Sequence, residues 1–155
     1  MPVFQYKILC IIHAYEMYIS SRLEYCSVVF HSSLTKQQEA ALERCQAVCL
    51  RVILQESYIS YSSALEMCGL KTLHARRLDR CLSFSLKSIK HEQNKRIFPP
   101  NPNLDIHVEA RNREQFQVNF ARTNSYRNSA VPFCQRLLND HFSKTTLEEE
   151  GPGIV

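Results

Sequence analysis

Apolar residues at the start of the chain recur at intervals of three and four, which is the spacing of one face of an α-helix. This stripe comprises Phe4, Ile8, Ile11, Ile12, Tyr15, Ile19 and Leu23. The pattern predicts a single amphipathic helix over about residues 3–25. Residues 26–33 are then expected to form a connection whose apolar side chains pack back on the helix.

A second helix has a clear predicted start. Thr35 is a good N-cap, and Gln38 follows three residues later, which is the arrangement of a capping box. Its predicted buried stripe comprises Leu42, Cys45, Cys49, Val52 and Ile53. The side chains of Glu39, Glu43 and Arg44 are expected to face water.

Two further helices follow in the same region. The first covers about residues 61–68, and Gly69 suits the left-handed position after its last turn. Thr72 is expected to cap the next helix. The predicted buried stripe of this fourth helix comprises Leu78, Cys81, Leu82, Ser85 and Ile89.

The pattern becomes less regular beyond residue 92. The prolines of residues 97–102 break the helix and begin a loop. Residues 116–120 alternate apolar and polar side chains, which predicts a short strand. Pro132 can open a short helix that ends near Leu138.

The predicted fold is therefore mainly α: a small helical bundle followed by an irregular tail with a short strand and a short helix. The predicted parts are a bundle over residues 1–92, an extended basic segment over 93–142 and a disordered acidic tail over 143–155. Isolated short helices are marginal in water, so their apolar faces must supply the stability.

Seven cysteines at irregular spacings, without a clean signal peptide, favour reduced thiols that act as small core hydrophobes in an intracellular protein. The longest apolar run near the N-terminus, Ile8–Ile12, is too short to span a bilayer. No membrane partner is therefore expected, and the oligomeric state stays open.

Catalytic and metal sites are not indicated. Cys45 and Cys49, and likewise Cys10 and His13, could each place two ligands on one helix face, but zinc sites usually need four. The only aspartates are isolated, at Asp79, Asp105 and Asp140, so paired divalent cations would find no carboxylate cluster. The sequence also lacks a Gly-rich phosphate loop. We therefore expect no enzyme activity, no cofactor, no metal and no small-molecule substrate.

The charge is distributed unevenly along the chain. Residues 71–127 hold 12 Lys and Arg against 5 Asp and Glu, a net charge of +7, and the remainder carries −3, giving the formal total of +4. A basic middle is compatible with contacts to phosphates. It is also compatible with an ordinary solvated helix face.

The candidate nucleic-acid contacts are basic residues of this middle region. They are Arg76, Arg77, Arg80 and Lys87 on the fourth helix, and Arg111, Arg113, Arg122 and Arg127 after it. Aromatic residues lie between the later arginines and could stack on bases. The alternative is that the aromatics are core residues and that the arginines are solvated or paired with glutamates.

The first arginines of the fourth helix oppose its dipole, so either a bound anion or a partner carboxylate is expected near them. In the first case the face of Arg76 and Arg80 should be accessible to solvent. In the second, Arg76 or Arg77 is buried against a carboxylate such as that of Glu66, or against a helix C-terminus.

Five segments taken in order carry a resemblance to a known family. They are residues 19–26, 42–46, 61–70, 73–77 and 122–139. Together they resemble the thumb and the segment after it in reverse transcriptases of jockey-like non-LTR retrotransposons, over roughly residues 8–139. Phe30 stands where that family usually has Trp, and the fingers and the palm with its catalytic aspartates are missing.

The resemblance implies a fragment: a non-catalytic remnant with a thumb-like bundle. At most it would bind the backbone of an RNA or DNA template–primer weakly, without sequence preference. The alternative function, from another class, is a helical protein-interaction module with no nucleic-acid role.

Overall fold

The computed structural model describes residues 3–94, 96–101 and 115–149 and is mainly α-helical, as predicted. Side chains are described from Tyr6 to Thr145 within those ranges. The chain forms two compact units, which divide it differently from the predicted boundary at residue 92. The first unit comprises Met1–Ser27 and Leu34–Asp79, and the second comprises Val28–Ser33 and Arg80–Val155.

The N-terminal helical segment of the first unit has the predicted extent but contains a π turn. Helix α1 (Val3–Ala14) continues through a π-helical stretch (Tyr15–Ser20) into α2 (Ser21–Leu23). A π turn uses i→i+5 bonding, so it rotates the residues that follow it. Tyr15 and Ser20 therefore share the buried face, and Ile19 is exposed, contrary to the predicted stripe.

Helix α3 (Ser27–Phe30) is followed by a 3₁₀ turn (His31–Ser33) and by α4 (Lys36–Leu54). The capping box at the start of α4 is confirmed: the Gln38 N–H donates to Thr35 Oγ1 (3.3 Å), and the Thr35 N–H donates to Gln38 Oε1 (2.9 Å).

The buried face of α4 is rotated from the predicted one. It comprises Gln46, Leu50, Ile53 and Leu54. Of the predicted stripe only Ile53 is fully buried, while Cys45 and Val52 are exposed. Consecutive residues lie about 100° apart around a helix axis. A stripe drawn through Cys45 instead of Gln46 therefore indicates a different face of α4.

Helices α5 (Tyr61–Cys68) and α6 (Leu73–Ser88) follow, and the predicted bounds of α5 and the predicted start of α6 are confirmed. Gly69 has φ +64°, and its N–H and that of Leu70 bond back to the last carbonyls of α5. The core of the first unit comprises Ile12, Tyr15, Leu50, Ile53, Leu54, Ala64 and Leu65.

Helix α6 supplies residues 80–88 to the second unit, which also contains a 3₁₀ turn (Glu92–Asn94), α7 (Asn124–Arg127) and α8 (Ala130–Glu149). Helix α8 is much longer than the predicted helix ending near Leu138, and the predicted loose tail is wrong for residues 143–149. Apolar side chains such as Phe142 continue the buried face. The hydroxyls of Ser143 and Thr145 bond to carbonyls four residues back, so these side chains are satisfied within the helix.

The predicted strand over residues 116–120 is not formed: among the described residues it is reduced to one bridge between Pro100 and Phe116. Amide side chains of α8 take the place of a partner strand. Asn139 accepts from the Phe116 N–H (2.9 Å) and donates to the Phe116 carbonyl (3.0 Å). Gln135 accepts from the Asn119 N–H (3.0 Å) and donates to the Ile97 carbonyl (2.7 Å).

Candidate nucleic-acid interface

The N-terminus of α6 already holds a carboxylate. Thr72 Oγ1 accepts from the Ala75 N–H (3.2 Å), as predicted for the cap. Glu43 of α4 accepts from the N–H groups of Leu73 (3.4 Å) and His74 (2.7 Å). Free N–H groups at a helix start favour an anion. Here an internal glutamate supplies it, so Glu43 does not simply face water as predicted.

Arg76 is held by acidic side chains of the first unit. Its Nε lies 2.8 Å from Glu24 Oε1, and a second nitrogen lies 3.9 Å from Glu16. The Arg76 side chain is 20% exposed, whereas that of Glu24 is fully buried. A buried carboxylate needs a paired cation, because an unpaired charge in the interior is costly. Arg76 therefore has an internal role.

Arg77 is completely buried. One guanidinium nitrogen lies 3.8 Å from Glu39 Oε1, and the same carboxylate oxygen lies 2.5 Å from His74 Nδ1. The expectation that Arg76 and Arg80 share a solvent-accessible face is therefore wrong for Arg76, whereas Arg80 is exposed. Arg76 and Arg77 each lie instead near a carboxylate of the chain, which was the alternative expectation. The carboxylates are those of Glu24 and Glu39 rather than that of Glu66.

A sequence signal for the burial of Arg77 did exist. Leu73, Arg77, Cys81 and Ser85 are spaced four residues apart, and all four are buried. The predicted stripe included Cys81 and Ser85 correctly, but it placed Leu78 and Leu82, both only half-buried, where Leu73 and Arg77 are buried. An arginine is rarely buried without a paired carboxylate, and Glu39 is the nearest carboxylate to Arg77 among the described residues.

The remaining candidates differ in their surroundings. Lys87 and Arg80 lie on the outer surface of the second half of α6, and Arg122 and Arg127 are exposed in the second unit. Arg111 and Arg113 lie outside the described residues. Neither Arg122 nor Arg127 forms an ion pair with a carboxylate of the described part of the chain.

Exposed aromatic rings lie beside these two arginines. Phe120 is 86% exposed and Tyr126 is 43% exposed, and the Asn119 amide donates to Tyr126 Oη (3.3 Å). Phe116, by contrast, packs on Phe142 with ring centroids 5.9 Å apart. The alternation of aromatics thus separates into one core ring and two surface rings, which the sequence alone did not distinguish.

Residues 119–127, here called the arginine–aromatic segment, are fixed at both ends. Gln135 holds the Asn119 N–H, and the Thr123 hydroxyl accepts from the Tyr126 N–H (3.3 Å) as the N-cap of α7. The Arg136 guanidinium donates to the Arg127 carbonyl (2.8 Å). The exposed side chains are therefore carried on a backbone with defined hydrogen bonds.

Apolar side chains line a groove of about 360 Å³ in the first unit, between the N-terminal helical segment and α4. Its walls include Ile11, Tyr18, Ile19, Val48 and Val52, and Val52 is 68% exposed. Large apolar side chains gathered on a surface mark interaction sites more often than singly scattered ones do.

The cysteines are free and differ in exposure: Cys81 and Cys134 are buried, Cys49 and Cys68 half-buried, and Cys10, Cys26 and Cys45 exposed. The prediction of core thiols is thus wrong for the last three. Among the described side chains, no third ligand joins the Cys45–Cys49 or Cys10–His13 pair within reach of a shared ion.

Two tyrosines of the first unit have altered acidity. Burial, followed by the neighbouring Cys49, raises the pKa of Tyr15 to about 12, although Arg76 acts in the opposite direction. Burial and a hydrogen bond to Glu43 raise the pKa of Tyr61 still further. Both groups stay neutral at physiological pH, so neither is prepared to act as a base.

Comparison of the chain with protein-family models, with curated proteins and with solved structures found no match. No helix within the described ranges combines the length and the apolar character needed to cross a membrane. The function must therefore be inferred from the surfaces described above.

Proposed function

We propose that the chain is a non-enzymatic remnant of a retrotransposon reverse transcriptase that binds nucleic-acid backbone weakly and without sequence preference. The observation that carries the proposal is the exposed Phe120 next to exposed Arg122 and Arg127 in the second unit. The binding surface is therefore the arginine–aromatic segment. Arg76 and Arg77, which the sequence favoured equally, have internal roles instead.

The chemistry of this segment suits a single-stranded backbone. Guanidinium groups contact phosphates regardless of sequence, and an exposed ring can stack on any base. Because hydrogen bonds from α8 fix the segment, less conformational freedom is lost on binding. The segment also belongs to residues 122–139 for most of its length, one of the parts that resemble the retrotransposon enzymes.

A salt titration of binding to a single-stranded oligonucleotide tests this proposal. The R122Q/R127Q variant removes two positive charges from the segment. The slope of log K against log salt should become shallower by about 0.7 for each phosphate that the variant no longer neutralises. The F120A variant should weaken binding with the slope unchanged, because stacking releases few counterions.

The matched control is K36Q/R44Q, which removes two exposed positive charges from α4 in the first unit. It should keep both the affinity and the slope of the unaltered chain. Equal slopes for the two double variants, or no binding at any salt concentration, would contradict the proposal.

A second candidate function, a protein-interaction module, is favoured by the apolar groove of the first unit. We take a second copy of the chain as its occupant. The N-terminal helical segment also exposes Leu9, Met17 and Tyr18, so a second copy offers the apolar helix that such a groove accepts.

Sedimentation velocity over a range of concentrations tests this candidate. The unaltered chain should associate, and V52E in the groove should abolish association. The control is V29E, since Val29 is as exposed as Val52 (67% and 68%) but lies outside the groove. A chain that stays monomeric throughout rules out self-association.

A further inference from the structure

Three hydroxyl side chains lie within or beside the arginine–aromatic segment, at Thr123, Ser125 and Ser129. The Thr123 hydroxyl accepts from the Tyr126 N–H (3.3 Å), and the Ser129 hydroxyl donates to the Tyr126 carbonyl (2.7 Å). Ser125 is exposed, and its hydroxyl forms no hydrogen bond with the described part of the chain. Ser125 is therefore the hydroxyl of this segment that can be modified without breaking an internal contact.

The backbone around Ser125 is also easier to open than that of a long helix. Ser125 lies on α7, a single helical turn of four residues, Asn124–Arg127. Two backbone hydrogen bonds of 3.0 Å, to the carbonyls of Thr123 and Asn124, close this turn. One turn of helix is marginal by itself, so it opens locally at little cost. The chain around Ser125 can therefore extend into the cleft of an enzyme.

Positive charges lie on both sides of Ser125. Arg122 lies three residues before it and Arg127 two residues after it, and both are exposed. Three residues of extended chain span about 10 Å, which is about one Debye length at 0.1 M salt. A charge placed on Ser125 would therefore act on both arginines. Protein kinases choose substrates partly by the charges around the hydroxyl, and Arg122 supplies such a charge.

We propose that Ser125 is a phosphorylation site, modified by a serine kinase that selects arginine three residues before its target. The Ser125 oxygen attacks the γ-phosphorus of a nucleoside triphosphate, the bond from that phosphorus to the bridging oxygen breaks, and the nucleoside diphosphate leaves with the electron pair. The hydroxyl proton passes to a base of the kinase.

The new phosphate carries a charge of about −1.5 to −2 at pH 7, which offsets the charges of Arg122 and Arg127. Phosphorylation therefore weakens the binding of nucleic acid by the arginine–aromatic segment. This effect on binding rests on the proposed function, whereas the modification of Ser125 and the offset of the two arginines do not.

A second serine with the same arginine spacing separates sequence from structure. Ser83 is exposed and follows Arg80 by three residues, but it lies within the 16-residue helix α6. Opening the middle of a long helix breaks several backbone hydrogen bonds, whereas α7 is one turn. The spacing alone predicts modification of both serines, and the structure predicts modification of Ser125 and not of Ser83.

The first test incubates the full chain with ATP and the cyclic-AMP-dependent protein kinase, which has this selectivity. The intact mass should rise by one phosphoryl group, and fragmentation should place that group on Ser125. S125A and R122Q should lose the modification, whereas S83A and R127Q should keep it. Phosphate on Ser83 instead, or no incorporation by a kinase that modifies a basic model peptide, would overturn the proposal.

Phosphorus NMR measures the offset of charge without nucleic acid. Nearby guanidinium groups favour the dianion, so the second pKa of the phosphate on Ser125 should lie below its ordinary value of about 6. In the phosphorylated R127Q chain this pKa should move back toward the ordinary value. An unshifted pKa in both chains would contradict the offset.

Binding to a single-stranded oligonucleotide then tests the effect on the segment. The phosphorylated chain should bind more weakly, and its slope of log K against log salt should be shallower by up to about 1.4, as expected for two lost phosphate contacts. The control is the chain incubated without ATP, and a phosphatase should restore its affinity and slope. Unchanged affinity after full phosphorylation would overturn the effect on binding. If the chain without phosphate binds no oligonucleotide, the proposed function fails, and the mass and NMR measurements still decide the modification.

Discussion

The two units differ in the charges that they bury, although each also buries a neutral amide, such as Gln46 in the first unit. The interior of the first unit contains charges: Glu24 and Arg77 are buried, and each lies near an oppositely charged partner. The second unit buries neutral amides, Gln135 and Asn139, which bond to backbone groups of residues 97–119. In the first unit Arg76 and Arg77 are therefore structural, and in the second unit Arg122 and Arg127 remain at the surface.

This difference indicates which basic residues of the chain are available to bind an anionic partner. Arg76 and Arg77 lie against Glu24 and Glu39 in the first unit, whereas Arg122 and Arg127 form no ion pair within the described part of the second unit. Buried ion pairs also tolerate the loss of one partner poorly, because the other charge is left unpaired. The two interiors should therefore respond differently to single substitutions.

The largest effect is expected from E24A in the first unit. It leaves the mostly buried Arg76 without its 2.8 Å partner, so the free energy of unfolding should fall by about 3 kcal/mol. Urea unfolding followed by circular dichroism measures this. E66A on the exposed surface of α5 is the control and should stay within about 0.5 kcal/mol. A comparable loss in both variants would remove the contrast between structural and surface charges.

A smaller effect is expected from N139L in the second unit. The leucine fills the space but leaves the Phe116 N–H and carbonyl without partners, at a cost of about 2 kcal/mol. The same urea experiment applies, with N128L on the exposed turn after α7 as the control. If N139L unfolds at the same urea concentration as the control, the amide does not replace a strand partner energetically.

The smallest effect at neutral pH is expected from Y15F. Tyr15 Oη is buried without a hydrogen-bond partner among the described residues, so removing it should leave the stability unchanged or slightly higher. In the folded chain the Tyr15 pKa is raised to about 12 from its ordinary 10.0, so the folded state holds the proton more tightly. Its contribution to stability is thus complete below pH 10 and is lost as the pH rises through 12.

Unfolding measured across that pH range should show a shallower decline for Y15F than for the unaltered chain. Y6F is the control, because Tyr6 is exposed. Identical slopes for Y15F and Y6F would show that Tyr15 does not couple folding to pH. The pKa of Tyr61 is raised as well, so both variants should still lose some stability as the pH rises.

The features that the sequence predicted well are local. Thr35 and Gln38 form a capping box within four residues, and Gly69 ends α5 through its own backbone angle. The features that it missed depend on distant parts of the chain. The pairing of Arg76 with Glu24 joins α6 to the turn after α2, and no local pattern encodes that contact.

The candidate site shows the same division. The alternation of apolar and polar residues predicts the same environment for Phe116 and Phe120. In the structure Phe116 packs on Phe142, whereas Phe120 is exposed. The extension of α8 to Glu149 was missed because its last turns are rich in Ser, Thr and Glu. In those turns the hydroxyls of Ser143 and Thr145 bond to helix carbonyls and do not end the helix.

The π turn at Tyr15–Ser20 contains one residue more than an α-helical turn with the same buried face would need. An α-helix would bring the next buried position round after four residues, whereas here Ser20 follows Tyr15 after five. The segment therefore accommodates one residue more than a regular helix needs. Loss of a codon between these positions would convert the turn to ordinary α-helix and still present Ser20 and Glu24 to the interior, so this part of the gene can change in length without changing what the helix buries.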